Sequence, residues 1–246
     1  MIAETFGENR KNLFLFLTFT GFFTVFFIRS KQGFYFIDGH LVFTIADGYV
    51  LMSNLFLKAF FLIPAYLFLL SHFLKNDGEV QRVLRSRRRE KLWAWSCGKV
   101  LAASLCITIW EMLLIAGTGA AQGMRTVNWS EKESVFWIET GMVLRASKSL
   151  AEVAGMFFLT MMLTCVLAGL AYVWILELFH SILLASGACL TWGIAEYFAK
   201  PFLLNRLCMQ HLDWLRNEWS SLVAAAVVLV CLGILGLWAA KRREYY

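Results

Sequence analysis

The sequence predicts an all-α integral membrane protein with six transmembrane helices. Of its 246 residues, 59% are hydrophobic and only 16% are charged, and the mean hydropathy is +0.63. A membrane-spanning helix needs about 20 mostly apolar residues, and the apolar runs in this chain leave little room for a soluble domain. We therefore expect one transmembrane domain, residues 1–246, and no nucleic-acid partner despite the net charge of +6.

The apolar segments and the basic residues between them predict a topology. Lys and Arg are enriched in cytosolic connections, and the densest group of them lies between Lys75 and Lys99. With that stretch in the cytosol, both termini are cytosolic too, and the protein is a multi-pass protein of the cell membrane. Pro64 is expected to kink the second segment. The predicted spans are 12–29, 50–74, 97–121, 150–176, 179–199 and 220–240.

Two of the outer connections carry a structural pattern. Residues 34–43 place two apolar quartets around Asp38-Gly39, which predicts either a β-hairpin or a segment that lies in the headgroup region. Between Pro201 and Ser220, apolar residues recur at helical spacing and predict an amphipathic helix on, or dipping into, the outer interface. These apolar residues are Leu204, Cys208, Leu212, Leu215 and Trp219. The short connection around Glu177 predicts an antiparallel helical hairpin.

No residues are predicted to be catalytic, to bind a cofactor or to bind a metal. The six cysteines show no CxxC or CxxxH spacing, and the topology leaves only Cys208 outside, so we expect no external disulfide. Motifs of intramembrane proteases and the ATP-binding glycine loop are absent from the sequence. The segment after the first span, Arg29 to Lys31, offers no small-x-small cleavage site, so the first helix is expected to remain in the protein.

Two charged residues lie farthest from the predicted membrane edges. Lys58 and Glu111 fall on consecutive antiparallel spans, at depths of about 12–15 Å at 1.5 Å per residue. An isolated charge at such a depth costs about 2.5–3.5 kcal/mol on insertion scales. We therefore expect Lys58 and Glu111 to form an intramembrane charge pair. A structural ion pair, a pair lining a substrate cavity and a proton relay all remain open.

The basic stretch between the second and third spans also has a recognisable order of residues. Glu79 is followed by Val83-Leu84, by Ser86-Arg87-Arg88 and then by Gly98-Lys99. This order resembles the cytosolic loop of the type 2 ATP-binding-cassette (ABC) permeases, the six-span exporter subunits. Val80-Gln81 stand where that family often has Gly-Thr, and Arg85 replaces its usual Pro.

The resemblance implies a coupling helix, from Gly78 to about Ser86, docked in a groove of a cytosolic ATPase. The residues implied to contact the ATPase are Glu79, Gln81, Arg82, Val83, Leu84, Arg85, Ser86, Arg87 and Arg88. The alternative is that the arginines only bind anionic lipid headgroups and set topology, at about 1 kcal/mol each.

The family further implies a permease subunit of a bacterial exporter. It would form a dimer with itself or with a similar permease, contact membrane lipids, and be driven by two ATPase subunits that bind ATP and Mg²⁺. Its cargo would be amphipathic or lipophilic, such as an antimicrobial peptide, a drug or a lipid-like molecule. Two alternatives stay open: an intramembrane enzyme that acts on lipid or peptide through Glu177, His180 or His211, and a non-transporting immunity protein that binds its ligand directly.

Overall fold

The computed structural model describes residues 10–39, 41–74, 89–142, 148–179, 181–199, 203–216 and 220–242. Within these ranges the regular structure is helical, apart from an isolated bridge between Val42 and Ser134. The helices are α1 (Arg10–Gly39), α2 (Ile45–Met52), α3 (Leu55–Leu74), α4 (Arg89–Ala121), α5 (Val135–Glu139), α6 (Leu150–Phe179), α7 (Ile182–Ala199), α8 (Leu203–Arg206), α9 (His211–Arg216) and α10 (Ser220–Arg242).

Four of these helices are long and apolar enough to cross a membrane. They contain the stretches Leu13–Ile37, Leu55–Leu74, Lys91–Ala121 and Leu150–Phe179. Helices α7 and α10 carry shorter apolar stretches, at the positions of the predicted fifth and sixth spans. The prediction of an all-α membrane protein is confirmed, while the crossing of all six segments and the cytosolic termini remain predictions.

Helix α6 lies at the centre of the bundle and contacts α2, α3, α4, α7 and α10. It has the highest mean hydropathy of the four long helices, and an apolar helix without a polar face is stable only when its whole circumference is covered by protein or lipid. Gly169 allows the closest approach, since a Cβ there would meet Tyr66 and Val100. The Tyr66 hydroxyl is in turn 2.9 Å from the Ser104 hydroxyl of α4, so the three helices are fixed together.

Contacts near the helix ends place three of those ends together. Trp93, close to the start of α4, packs against Gly236, close to the end of α10. Lys99 of α4 donates a hydrogen bond from Nζ to the Phe73 carbonyl, 2.9 Å away, near the end of α3. The end of α3, the start of α4 and the end of α10 therefore share one end of the bundle.

The second predicted span is interrupted in the structure. A capping box between Thr44 and Asp47 starts α2, and the Asn54 side chain accepts a hydrogen bond from the Phe56 N–H to start α3. The prediction of one helix over 50–74 is therefore wrong. The two caps start two separate helices, α2 and α3. Likewise, helix α4, which corresponds to the third predicted span, begins at Arg89 and not near residue 97.

The irregularity expected at Pro64 takes the form of a π-helical segment, Lys58–Leu62. Here the Ile63 N–H bonds to the Lys58 carbonyl, five residues back, just before the proline that lacks an N–H of its own. Segments of this kind are often found at functional positions in helices. In this chain the segment begins at Lys58, a fully buried charged residue.

Both predicted patterns in the outer connections need correction. No hairpin forms at 34–43, because α1 continues to Gly39 and the Tyr35 ring stacks on Phe43. The single amphipathic helix expected after Pro201 is divided into α8 and α9. Leu204 and Cys208 are buried, in agreement with the pattern, whereas Leu212 is exposed.

Candidate functional site

The proposed coupling residues lie outside the described part of the chain. These are Glu79, Gln81, Arg82, Val83, Leu84, Arg85, Ser86, Arg87 and Arg88. What the structure does place are the two helix ends that this segment joins. Leu74 and Arg89 lie at the same end of the bundle, where α10 also ends.

Lys58 is fully buried where α3 changes from α-helix to π-helix. Its Nζ donates to the Leu207 carbonyl at 2.8 Å and to the Thr164 hydroxyl at 3.4 Å. Leu207 follows α8, and two residues later the Met209 N–H bonds to the Ser53 hydroxyl at 3.1 Å. Because their polar backbone groups are held by Lys58 and Ser53, residues 207–210 stay non-helical and separate α8 from α9.

Glu111 is also fully buried, but it lies at the interface of α4 with α1. The Thr24 hydroxyl donates to its Oε2 at 2.8 Å, and its Oε1 has no hydrogen-bond partner among the described residues. One turn away on the same interface, Trp110 Nε1 donates to the Thr20 hydroxyl at 3.1 Å. These two polar contacts fix how α1 lies along α4.

The structure does not bring Lys58 and Glu111 together. Both residues are in the described part of the chain, and no ion pair joins them. The predicted charge pair is therefore not formed. The reason is the break before α3: Lys58 lies only three residues after the start of that helix, beneath residues 207–210, and not eight residues inside a longer span.

A second polar cluster, which the sequence did not predict, surrounds Asp47 of α2. Asp47 is 1% exposed, and its two carboxylate oxygens accept four hydrogen bonds. Oδ2 accepts from the backbone N–H and the hydroxyl of Thr44, at 2.9 and 2.7 Å. Oδ1 accepts from Trp129 Nε1 at 2.8 Å and lies 3.0 Å from His211 Nε2. The sequence does contain one signal for this helix start, because the spacing Thr44-x-x-Asp47 is that of a capping box.

His211 is one of the three residues that the sequence offered for an enzyme, and it contacts the carboxylate of Asp47. Its ring lies edge-on to Trp129 and Phe136, with centroid distances of 5.6 and 5.7 Å. A histidine oriented by a carboxylate is the arrangement of a general base, but it also needs a nucleophile within hydrogen-bond reach. None of the described Ser, Thr or Cys side chains bonds to His211, and the Cys208 thiol donates to the Leu204 carbonyl.

The contacts of Asp47 with Trp129 and His211 therefore join three parts of the predicted outer region. Asp47 belongs to α2, Trp129 to the connection after α4, and His211 to α9. Of the other two enzyme candidates, Glu177 is half-buried near the end of α6, and His180 lies outside the described residues. All six cysteines are free thiols. We name the contacts among Asp47, Trp129 and His211 the outer cap, after the predicted topology.

Comparisons with known proteins add no family assignment for this chain. No protein-family model, no curated protein and no solved structure matches it.

Proposed function

We propose that this chain is the membrane-spanning permease subunit of an exporter similar to the type 2 ABC permeases. In this proposal it forms a dimer with itself or with a similar permease, in a bacterial plasma membrane. Two copies of a separate cytosolic ATPase, which bind ATP and Mg²⁺, drive it. The sequence order from Glu79 to Lys99 supports this assignment, together with the all-helical membrane architecture.

The observation that carries the proposal is the position of the two helix ends that the basic sequence 75–88 connects. The end of α3 and the start of α4 lie at the end of the bundle where α10 ends in Lys241 and Arg242. Lys99 holds the last turn of α3 against α4 through the Phe73 carbonyl. A force applied to this segment would therefore act on both helices. Its arginines would complement an acidic groove on a partner.

An aromatic surface on α3 and α7 is the proposed wall of the cargo path. Phe56 and Phe60 of α3 are 46% and 41% exposed, and both rings contact Tyr197 of α7, with centroid distances of 5.9 and 5.2 Å. Phe198, next to Tyr197, is 74% exposed. A surface of this kind suits an amphipathic or lipophilic cargo that passes between two permease subunits, because moving apolar surface out of water into apolar contact is favourable.

Copurification of the ATPase tests the proposal. The tagged chain is purified from membranes of its own host, and ATP-hydrolysing proteins bound to it are quantified by mass spectrometry. We expect a bound ATPase with the wild-type chain and at least a tenfold loss with the combined changes Arg82→Glu, Arg85→Glu and Arg88→Glu. The matched control reverses Lys241 and Arg242 at the end of α10, together with Arg243, which follows them in the sequence, and should keep the ATPase.

Two results would overturn the proposal. One is a wild-type chain that purifies without any ATPase under conditions that preserve its fold. The other is equal retention of the ATPase by both charge-reversed variants. Equal loss of membrane insertion in the two variants, with no bound ATPase in the wild type, would assign the arginines to headgroup binding and topology alone.

A further inference from the structure

A cavity of about 250 Å³ lies beside the Asp47–His211 contact in the outer region. Its walls come from α1, α2, α5 and the segment between α8 and α9. Since a water molecule occupies about 30 Å³ in the liquid, this volume corresponds to roughly eight waters. Pockets for drug-sized ligands typically measure about 300–1,000 Å³, so this cavity lies just below that range. The cavity therefore fits a group the size of one side chain or one lipid headgroup.

The charge of the cavity wall favours a cation. None of its described lining residues is Lys or Arg, although the whole chain carries a net charge of +6, and its one histidine, His211, contacts Asp47. Two carboxylates, Asp47 and Glu139, lie in the wall. Asp47 is already saturated by its four hydrogen bonds within the protein. Glu139 is different: Oε1 accepts from the Tyr35 hydroxyl at 2.9 Å, and Oε2 has no hydrogen bond to any described residue.

The remaining wall near Glu139 is aromatic and neutral. The Tyr35 and Phe43 rings are stacked with their centroids 6.0 Å apart and their planes inclined by 19°. Aromatic faces attract organic cations, and this attraction grows when the cation loses water. Asn54 and Gln210 add neutral polar groups to the wall. An ammonium ion on a short alkyl chain would find the exposed Glu139 carboxylate, two aromatic side chains and a partly enclosed space at one place.

We propose that this outer cavity binds an organic ammonium group, with Glu139 as its counter-ion and Tyr35 and Phe43 as its aromatic wall. Two sources carry this chemistry: a lysine side chain of a cationic amphipathic peptide, and the headgroup of an aminophospholipid. The inference goes beyond the proposed permease function, because binding is a property of this chain and needs no ATPase. It assigns the outer face a ligand class that the sequence alone did not indicate.

The first experiment measures binding of hexylammonium by calorimetry to the purified full chain in maltoside micelles, a detergent without charge or ammonium. We expect saturable binding of hexylammonium and none of hexanol, which has the same alkyl chain. Glu139→Gln should weaken binding about tenfold, since a hydrogen bond to a charged group contributes about 1.5–3 kcal/mol. Glu131→Gln is the matched control, because Glu131 is an exposed glutamate of the same connection that pairs with Arg125.

The two sources are then separated by competition against bound hexylammonium. One arm adds a lysine-containing amphipathic peptide, and the other adds dihexanoyl phosphatidylethanolamine. Displacement by either one supports the proposal and identifies the source. Equal binding by the wild type and a correctly folded Glu139→Gln variant would overturn it. So would hexanol binding as tight as that of hexylammonium, or a failure of both competitors.

Discussion

At the scale of single residues, the two deeply buried charges are fixed by different neighbours. The sequence identified Lys58 and Glu111 correctly as buried, because both lie within apolar stretches of the sequence. It could not identify their partners. The Leu207 carbonyl that accepts from Lys58 is a backbone atom some 150 residues away, and backbone acceptors leave no signature in residue type. The partner of Glu111 is a threonine, one of many in the spans.

The first prediction concerns the independence of these two residues. Lys58→Met leaves the Leu207 carbonyl unsatisfied, which costs about 1–3 kcal/mol for a buried group. Glu111→Gln acts only at the contact of α1 with α4. The two residues share no hydrogen-bond partner. The free energy of unfolding of the double variant should therefore fall by the sum of the decreases in the two single variants, with a coupling energy below about 0.5 kcal/mol. Unfolding by sodium dodecyl sulfate in mixed micelles measures all four proteins.

An ion pair would give a different result in the same cycle. The double variant would then be more stable than Lys58→Met alone, because removing Glu111 would also remove its unpaired charge. A favourable coupling well above 1 kcal/mol would contradict the separate partners described for the two side chains.

The residue scale also shows what the sequence missed in the outer region. Asp47 stands in a short helix between two longer ones, in the connection before the span predicted at 50–74. Its partners Trp129 and His211 come from two other connections, far away in the sequence. Only the tertiary fold brings them together, so the sequence supplied His211 as a candidate but not its contact.

At the scale of elements, the positions of the long helices were predictable and their ends were not. The apolar runs predicted both ends of α6, α7 and α10, and the end of α4, to within a few residues. Each of these runs ends at a polar loop. The runs failed where polar residues continue a helix, as at Arg89, or where side-chain caps interrupt an apolar run, as at Asn54. Hydropathy measures the preference for the membrane, whereas helix ends depend on local hydrogen bonds.

The second prediction compares two glycines on α10 that sequence alone treats alike. A Cβ at Gly236 would overlap the ring of Trp93, a side chain only 2% exposed, whereas a Cβ at Gly233 meets no atom within 4 Å. We expect Gly236→Ala to destabilise the protein by about 1–3 kcal/mol, as overpacking does. For a chain of this size, this lowers the melting temperature by roughly 2–4 °C per kcal/mol.

Gly233→Ala serves as the control for the same helix. It should leave the melting temperature unchanged or slightly raised, since alanine favours a helix over glycine by about 0.5–1 kcal/mol. Thermal unfolding of both variants, followed by tryptophan fluorescence in detergent, separates the two cases. Equal melting temperatures for Gly236→Ala and Gly233→Ala would contradict the packing of α4 against α10.

At the scale of the whole molecule, the helices form one bundle with two chemically different ends. One end gathers the end of α3, the end of α10 and the start of α4. The opposite end carries the outer cap, in which Asp47, Trp129 and His211 join separate connections. Composition was sufficient to predict a membrane protein with this charge asymmetry. The cap and its cavity depend on contacts between distant segments, which composition does not contain.

The mass of the intact complex tests the permease assignment most directly. The tagged chain is extracted from its host membrane in a mild detergent and examined by native mass spectrometry. We predict two permease chains, identical or similar, bound to two copies of an ATP-hydrolysing subunit, with release of that subunit when Arg82, Arg85 and Arg88 are reversed to glutamate. A stable, folded chain that is isolated alone, with no ATPase in any fraction of the extract that contains it, would contradict the assignment.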